Sequence, residues 1–264
     1  AGTELTLTAP DLSATDVIFR VELPGGSIDS AQALADALSA TGRTPVIVEG
    51  QPEVASCGLL DPATSATERL WYCGGTYPNG QAMTPASAVA ISEAQALGIG
   101  IYVEAGDAWG FDPVDPAFAA IDGIADGILD GDDSFLTMNG LDSGFGLDLT
   151  SFAAVAYNQD NAADNDWTDQ LVSTDLDLLG PEAGPIWEEG TGLYGTGVYY
   201  NTNAGGKVIC QSWELGGFGG SQEDLIDSYV AAMGSGGGGP AGPQFRRGDS
   251  NGDGGFNIAD AVYL

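Results

Sequence analysis

Four residues between positions 104 and 112 carry side chains of the kinds that sugar chemistry uses: Glu104, Asp107, Trp109 and Asp112. Two carboxyl groups can act as acid and base in the hydrolysis of a glycosidic bond, and an indole ring can stack on an apolar face. The same acids could instead accept hydrogen bonds from loop amides, with the indole packed on a sheet edge. We favour this structural interpretation, because a chain with 38 acidic residues brings some together by chance.

A second group of oxygen-bearing residues lies at 249–260, in the segment DSNGDGGFNIAD. Oxygen ligands at loop positions 1, 3, 5, 7, 9 and 12, with glycine at position 6, have the spacing of an EF-hand calcium loop. The segment therefore predicts a bound calcium ion as the cofactor of this chain. Its predicted ligands are Asp249, Asn251, Asp253, the carbonyl of Gly255, Asn257 and Asp260.

The chain has no histidine. This excludes Ser-His-Asp triads, Cys-His dyads and every zinc site that needs histidine, and three cysteines are too few for a four-thiolate zinc site. A disulfide between Cys57 and Cys73 is one alternative for the cysteines, and buried free thiols at Cys73 and Cys210 are the other. Since ordinary acids are the remaining catalytic groups, we predict that the chain is not an enzyme.

Acidic residues dominate the charge: 38 Asp and Glu against 6 Lys and Arg give a formal net charge of −32. This charge repels nucleic acids and anionic lipids, so neither is expected as a partner. The sequence has no apolar run of about 18 residues, so membrane insertion is not expected. Because residue 1 is alanine rather than methionine, we expect an export signal to have been removed and the protein to be extracellular or at a cell surface.

The Glu104 loop must be positioned by strand–helix–strand units in the first half of the chain. The predicted elements are a strand at 17–23, a helix ending at Gly42, strands at 45–49 and 70–73, a helix at 84–97 and a strand at 99–103. Parallel crossover units of this kind place ligand groups on loops beyond the carboxyl ends of the strands. A binding site is therefore expected first on the loop that follows Val103.

The second half is less regular. It is predicted to contain a helix at 118–129, a hairpin of strands at 197–201 and 207–215, and a last helix at 223–233. Residues 130–190 lose clear periodicity, so they form either a functional insertion or short strands that the pattern does not resolve. We expect an α/β domain: a mostly parallel, flavodoxin-like sheet of strand order 2-1-3-4-5, sandwiched by helices and finished by the C-terminal hairpin.

Composition divides the chain into four segments. An N-terminal strand extension at 1–10 precedes the α/β domain at 11–233, and a Gly/Pro linker at 234–244 leads to the calcium loop at 245–264. The last segment resembles one repeat of a dockerin, in which two such EF-hand-like repeats pack together. The resemblance implies calcium binding and a cohesin-like or other cell-surface protein as partner.

Three pieces of the main domain carry a second resemblance: GTYP at 75–78, YVEAGDAW at 102–109 and SWELGG at 212–217. They are similar to the flavodoxin-like, glutamine-amidotransferase-like domain of secreted bacterial proteins, which is sometimes found near gingipain-type peptidase folds. The resemblance implies the fold and an extracellular setting. The Cys-His chemistry of those families cannot be carried over to a chain without histidine.

Together these observations predict a secreted, non-catalytic structural or assembly module of the cell surface or extracellular matrix that binds calcium. Copies of it are expected to associate into filaments, because the alternating strand at 4–8 precedes the first strand of the domain and would gain by pairing with another copy. The alternative is a carbohydrate-active hydrolase or glycan-binding module that uses Glu104, Asp107 and Asp112 with Trp109.

Overall fold

The computed structural model describes residues 12–24, 26, 28–53, 59–61, 65–76, 79–111, 114–128, 136–158, 168–173, 183–202 and 205–234. The strand predicted at 1–10, the calcium loop predicted at 249–260, Cys57 and Asp112 lie outside these residues.

Strands make up most of the regular structure in the described residues. The strands are β1 (Asp16–Arg20), β2 (Pro45–Glu49), β3 (Arg69–Cys73), β4 (Gly100–Glu104), β5 (Ile124–Ile128), β6 (Thr137–Gly140), β7 (Val155–Ala156), β8 (Gln170–Ser173), β9 (Ala183–Glu189), β10 (Gly195–Tyr200) and β11 (Val208–Gln211). The helices are α1 (Ser30–Ala40), α2 (Pro85–Ala96), α3 (Pro116–Ala119) and α4 (Gln222–Met233), with a 3₁₀ turn at Leu215–Gly217.

One large sheet organises the fold, with the strand order β2-β1-β3-β4-β11-β10-β9-β6-β7. The pairings from β2 to β11 are parallel, and those from β11 to β7 are antiparallel. The prediction of an α/β protein is confirmed. In the parallel half, β2-β1-β3-β4-β11 follows the predicted 2-1-3-4-5 order, and β10 with β11 forms the predicted hairpin. A separate antiparallel pair consists of β5 and β8.

The three long helices begin at side chains that cap free backbone amides. The Asp29 carboxylate accepts from the N–H of Gln32 over 2.9 Å at the start of α1. Thr84 caps α2 in the same way, with Pro85 at the first helical position, and Ser221 caps α4. These residue types satisfy N–H groups that have no partner within the helix.

Two hydrophobic layers lie on opposite faces of the sheet. Tyr102 points into the layer covered by α1 and α4, whereas its neighbour Val103 points into the layer covered by α2 and α3. This alternation places the next residue of β4, Glu104, on the Tyr102 face. In the described part of the chain, each helix is too short or too polar to cross a membrane.

The helix predicted at 118–129 is wrong, because the chain forms the four-residue α3 and then the strand β5. Gly123 lies between them with a φ of +74°, a conformation that interrupts a helix. Gly127 then passes so close to Trp109 that an added Cβ would lie 2.6 Å from the Trp109 carbonyl oxygen. The irregular residues 130–190 contain β6, β7, β8 and all of β9, so the described parts of this region form short strands.

Candidate functional site

Glu104 ends β4 at the carboxyl edge of the parallel strands, where its side chain is 0% exposed. The hydroxyl of Tyr102 donates to Glu104 Oε2 over 2.6 Å, and the backbone N–H of Leu215 donates to the same oxygen over 2.8 Å. Burial raises the pKa of Glu104, while these two bonds and the facing hydroxyl of Ser30 oppose the rise. Glu104 is therefore fixed in place and shielded from solvent.

A second buried acid, Glu214, lies beyond the end of β11, the parallel neighbour of β4. Glu214 is 1% exposed, and the hydroxyl of Thr76 donates to its Oε2 over 3.1 Å. The peptide that follows Glu214 carries the Leu215 N–H that binds Glu104. One short segment after β11 therefore holds both acids at the same edge of the sheet.

Glu22 lies just beyond β1 and is partly buried. Its backbone N–H donates to the carbonyl of Cys73 over 3.1 Å, and the amide of Ala31, in the first turn of α1, donates to its side chain. Burial, together with the negative charges of Glu104 and Asp29, raises the pKa of Glu22 to about 7. Glu22 can therefore gain or lose a proton near neutral pH.

We call Glu22, Glu104 and Glu214 the edge carboxylates, and Cys73 ends β3 among them. Burial raises the pKa of the Cys73 thiol well above its ordinary value, and the charges of Glu104 and Glu22 add to the rise. The thiolate, which is the nucleophilic form, is therefore disfavoured. Cys73 and Cys210 are both buried free thiols, which corresponds to the second of the two alternatives for the cysteines.

Trp109 does not lie with the edge carboxylates. It is 6% exposed in the hydrophobic layer beneath α2 and α3, and its ring N–H donates to Asp122 Oδ2 over 3.1 Å. The backbone N–H groups of Trp109 and Gly110 donate to Asp169 Oδ2 over 3.0 and 2.8 Å. The indole is therefore a packing group in this structure and offers no face on which a sugar could stack.

Asp107 lines a small cleft beyond the ends of β3 and β4, together with Gly75, Gln81 and Ala108. The cleft has a volume of about 30 Å³, which is room for about two water molecules. A sugar ring does not fit there without movement of the loops. Since Asp112 lies outside the described residues, the structure does not bring the four residues of the Glu104 loop together as one site.

In the described part of the chain, no group of three or more Asp, Glu, Cys or His residues could hold a metal ion. The calcium prediction concerns 249–260, which lies outside that part. It therefore stays a prediction from ligand spacing.

The sequence does not predict Glu22 and Glu214 as site residues, because the predicted strands at 17–23 and 207–215 include them. The strands end earlier, at Arg20 and Gln211, so both acids lie just past a carboxyl end. Side chains in that position of a parallel sheet are where ligand groups gather. An earlier strand boundary would have identified both acids from sequence.

Comparisons with known proteins give little further information. No family model matches the chain, and no curated protein sequence matches it. Among solved structures, the chain is similar to the exo-beta-1,4-mannosidase Op5Man5 from Opitutaceae bacterium strain TAV5, with a TM-score of 0.47 and 12% sequence identity.

That match covers 84% of this chain but 36% of the mannosidase chain, so our chain spans about a third of that protein. Because the matched protein is an enzyme, it contradicts our prediction that the chain is not an enzyme, and we do not maintain that prediction. A likeness of this size assigns neither a reaction nor a substrate to the chain.

Asp122 lets the electrostatics of this region be tested. It is 1% exposed, and burial raises its pKa from 3.8 to about 7, against hydrogen bonds from Ile124 and Trp109. Between these two values the folded protein binds more protons than the unfolded chain. The stability associated with this group is therefore fully present below the unfolded pKa and is lost as the pH rises through the folded pKa.

Between about pH 5 and pH 8, we expect ionisation of Asp122 to lower the free energy of unfolding of the wild type by on the order of 2 kcal/mol. Asp122→Asn should lack this contribution, so its free energy of unfolding should fall less over the same range. Urea unfolding at the two pH values measures it. Asp148→Asn is the control, because Asp148 is fully exposed and its pKa is lowered by bonds from Thr150. An unchanged pH dependence in Asp122→Asn would contradict the expectation.

Proposed function

We propose that this chain is a carbohydrate-active hydrolase whose acid–base chemistry is carried out by the edge carboxylates. The observation that carries the proposal is the convergence of Glu22, Glu104 and Glu214 from the ends of β1, β4 and β11 at the carboxyl edge, beside the first turn of α1. Open α/β sheets bind their ligands at this edge, at the point where the strand order reverses. Here that point lies between β1 and β3.

The residue types at the edge favour glycosidic bonds as the target. The chain has no histidine, and the Cys73 thiol is held protonated, so carboxyl groups are the acids and bases that this edge offers. Hydrolysis of a glycosidic bond needs one protonated and one ionised carboxyl group. Groups whose surroundings give them different pKa values meet that need.

Access to solvent suggests how the acids share the work. Glu22 is partly exposed and has a pKa of about 7, so it can reach a substrate and protonate the oxygen of the leaving group. Glu104 and Glu214 are 0% and 1% exposed. They therefore act on the site without touching the substrate, through the surroundings they give Glu22. Once Glu22 has protonated the leaving oxygen and the glycosidic bond has broken, its carboxylate takes a proton from the water that bonds to the sugar, so bonds and protons balance.

Glu22→Gln tests this function. Release of reducing sugar or chromophore should be measured for wild type and variant on a panel of aryl glycosides and polysaccharides. We expect the variant to lose about 10²–10⁴-fold in kcat, as is typical when a general acid is removed, and to keep its melting temperature.

Glu93→Gln is the matched control for that experiment, because Glu93 is an exposed glutamate on α2. It should keep full activity. Turnover that survives in Glu22→Gln would remove Glu22 from the mechanism. A wild-type protein that hydrolyses nothing on the panel would end the hydrolase proposal.

Three further features complete the proposal. The strand order of the parallel half supports a flavodoxin-like architecture, and the charge of −32 suits an extracellular setting where salt screens it. The ligand spacing at 249–260 supports calcium binding. Association of copies through the strand at 4–8 is supported by its alternating pattern.

A further inference from the structure

We propose that copies of this chain associate on the outer edge of β2, the edge that faces away from β1, and that the strand at 4–8 of a second copy pairs with it. The inference rests on the association of copies in the proposed function, because it names the surface that receives the strand. It is independent of the hydrolase activity.

β2 ends the large sheet on its parallel side. Within the described part of the chain it pairs with one strand, β1, so no described strand lies along its other edge. The opposite end of the sheet is different. There β7 is two residues long, and the N–H of Gly219 already donates to the carbonyl of Ala156 over 2.8 Å. Of the two ends of this sheet, β2 therefore offers the longer open edge.

The hydrogen bonds of β1 show which backbone groups of β2 point outward. The N–H of Gly50 donates to the carbonyl of Arg20 over 2.8 Å, whereas the next residue, Val21, donates to Cys73 on the β3 side over 2.9 Å. Successive residues of a strand thus direct their N–H and C=O groups to alternate edges. In β2, the residues that face β1 are Val46, Val48 and Gly50, and those that face outward are Pro45, Ile47 and Glu49.

Pro45 fits this arrangement, because proline lacks the N–H group and is tolerated in a strand where that group would face away from the sheet. Ile47 and Glu49 keep their N–H groups, so the outer edge offers two donors and three carbonyl acceptors. An extended segment that pairs with such an edge satisfies these groups and its own.

The apolar side chains of β2 also favour a further strand. Val46, Ile47 and Val48 are partly exposed, whereas every residue of β3 and β4 is buried. Ile47 packs against the layer under α1 and α4, and the two valines pack against the layer under α2 and α3. A strand beside β2 would extend both layers and cover an edge that otherwise invites uncontrolled pairing.

The segment at 4–8 has the pattern that this edge needs. Leu5 and Leu7 alternate with threonines, which are common in strands. Directly opposite residues of neighbouring strands share a face of the sheet. The two leucines can therefore lie opposite Val46 and Val48, with Thr6 opposite Ile47.

The place where this segment joins the domain points to a second copy as its source. The carbonyls of Leu12 and Thr15 accept from the N–H groups of Ala66 and Glu68, each over 2.8 Å. The chain thus enters β1 on the β3 side, roughly 10–14 Å from the outer edge of β2 at the usual strand spacing. The four steps from residue 8 to Leu12 span at most about 14 Å, which leaves no length for the turn between them.

Glu49→Pro and Glu49→Ala test the edge as a matched pair. Both remove a carboxylate whose side chain is 72% exposed, but the proline also removes the outward N–H and blocks the edge with its ring. Sedimentation velocity of the full chain should be run in about 1 M sodium chloride, which screens the charge of −32. We expect Glu49→Ala to associate like wild type and Glu49→Pro to associate more than about tenfold more weakly. Equal association of the two variants overturns the proposal.

The double variant Leu5→Ser, Leu7→Ser is the second test, in case Glu49→Pro does not fold. It changes no residue of the described domain, and it should weaken association by more than about tenfold through the loss of two buried side chains. Thr6→Ser is its control and should associate like wild type. Undiminished association of the double variant overturns the proposal.

Amide hydrogen exchange at low and high protein concentration locates the contact. The amides of Ile47 and Glu49 should become protected as the protein associates, whereas the Val48 amide, which faces β1, should be protected at both concentrations. An Ile47 amide that is equally protected in the dilute monomer would mean that the second copy is not the source of the strand. A wild type that stays monomeric ends the association of copies altogether. A wild type that associates with Ile47 unprotected ends only the assignment to β2, so the two failures are distinguishable.

Discussion

Replacing Asp16 with alanine is expected to lower the free energy of unfolding by about 3–5 kcal/mol, because it leaves the guanidinium of Arg69 buried without its main counter-ion. Both residues are 0% exposed. Arg69 donates to the two oxygens of Asp16 over 2.6 and 3.1 Å, and the ring N–H of Trp71 donates to the same carboxylate over 3.1 Å. Arg69 also binds the carbonyl of Gly234 at the end of α4 over 3.0 Å.

Urea unfolding followed by circular dichroism measures this loss. The control is Glu49→Ala, which breaks the ion pair of Arg20 with an acid whose side chain is 72% exposed. Exposed pairs contribute about 0–1 kcal/mol, so the two variants should differ severalfold. If they lose the same stability, the Asp16 pair does not hold β1, β3 and α4 together as the structure indicates.

Trp187→Ala is expected to cost about 3–5 kcal/mol, the usual range for removing a buried aromatic ring. Trp187 is 0% exposed on β9. Its ring meets Trp213 edge-on with centroids 5.3 Å apart, and Phe218 with centroids 5.6 Å apart. Its N–H donates to the hydroxyl of Tyr229 over 2.6 Å, so the variant loses a hydrogen bond as well as packing.

Thermal unfolding compares this variant with Phe111→Ala, since Phe111 is an aromatic residue that is 65% exposed. Surface changes of that kind usually stay within about 0.5 kcal/mol. Trp187→Phe should recover part of the loss, because it restores a ring but not the N–H. A Trp187→Ala protein as stable as Phe111→Ala would show that this aromatic cluster does not hold β9 to α4.

Local signals account for the elements that sequence predicted well. Thr84 and Pro85 mark the start of α2, and the observed helix lies within the predicted range of 84–97. The apolar runs of β3 and β4 are also local patterns, and both strands are fully buried. Caps and continuous apolar runs act over a few residues, so a sequence displays them directly.

The elements that the sequence predicted wrongly depend on contacts between distant parts of the chain. The apolar spacing from Phe118 onward fits a helix, but pairing of β5 with the distant β8 overrides it. In β9, Pro185 is a residue that argues against a strand, although the strand pairs on both sides. The site shows the same difference. The apolar run before Glu104 predicts its place at the end of a strand, whereas Glu22 and Glu214 reach the same edge only because β1 and β11 take their places in the sheet.

The position of β11 has a consequence for how the protein is made. This strand lies between β4 and β10 in the finished sheet, yet about 100 residues separate the end of β4 from its start. At a synthesis rate of about 5–20 residues per second, the ribosome needs about 5–20 s to deliver it. During that interval the newly made β4 has an open edge with Ile101 and Val103 along it. Nascent chains in this state present the kind of surface that chaperones cover and from which aggregates grow.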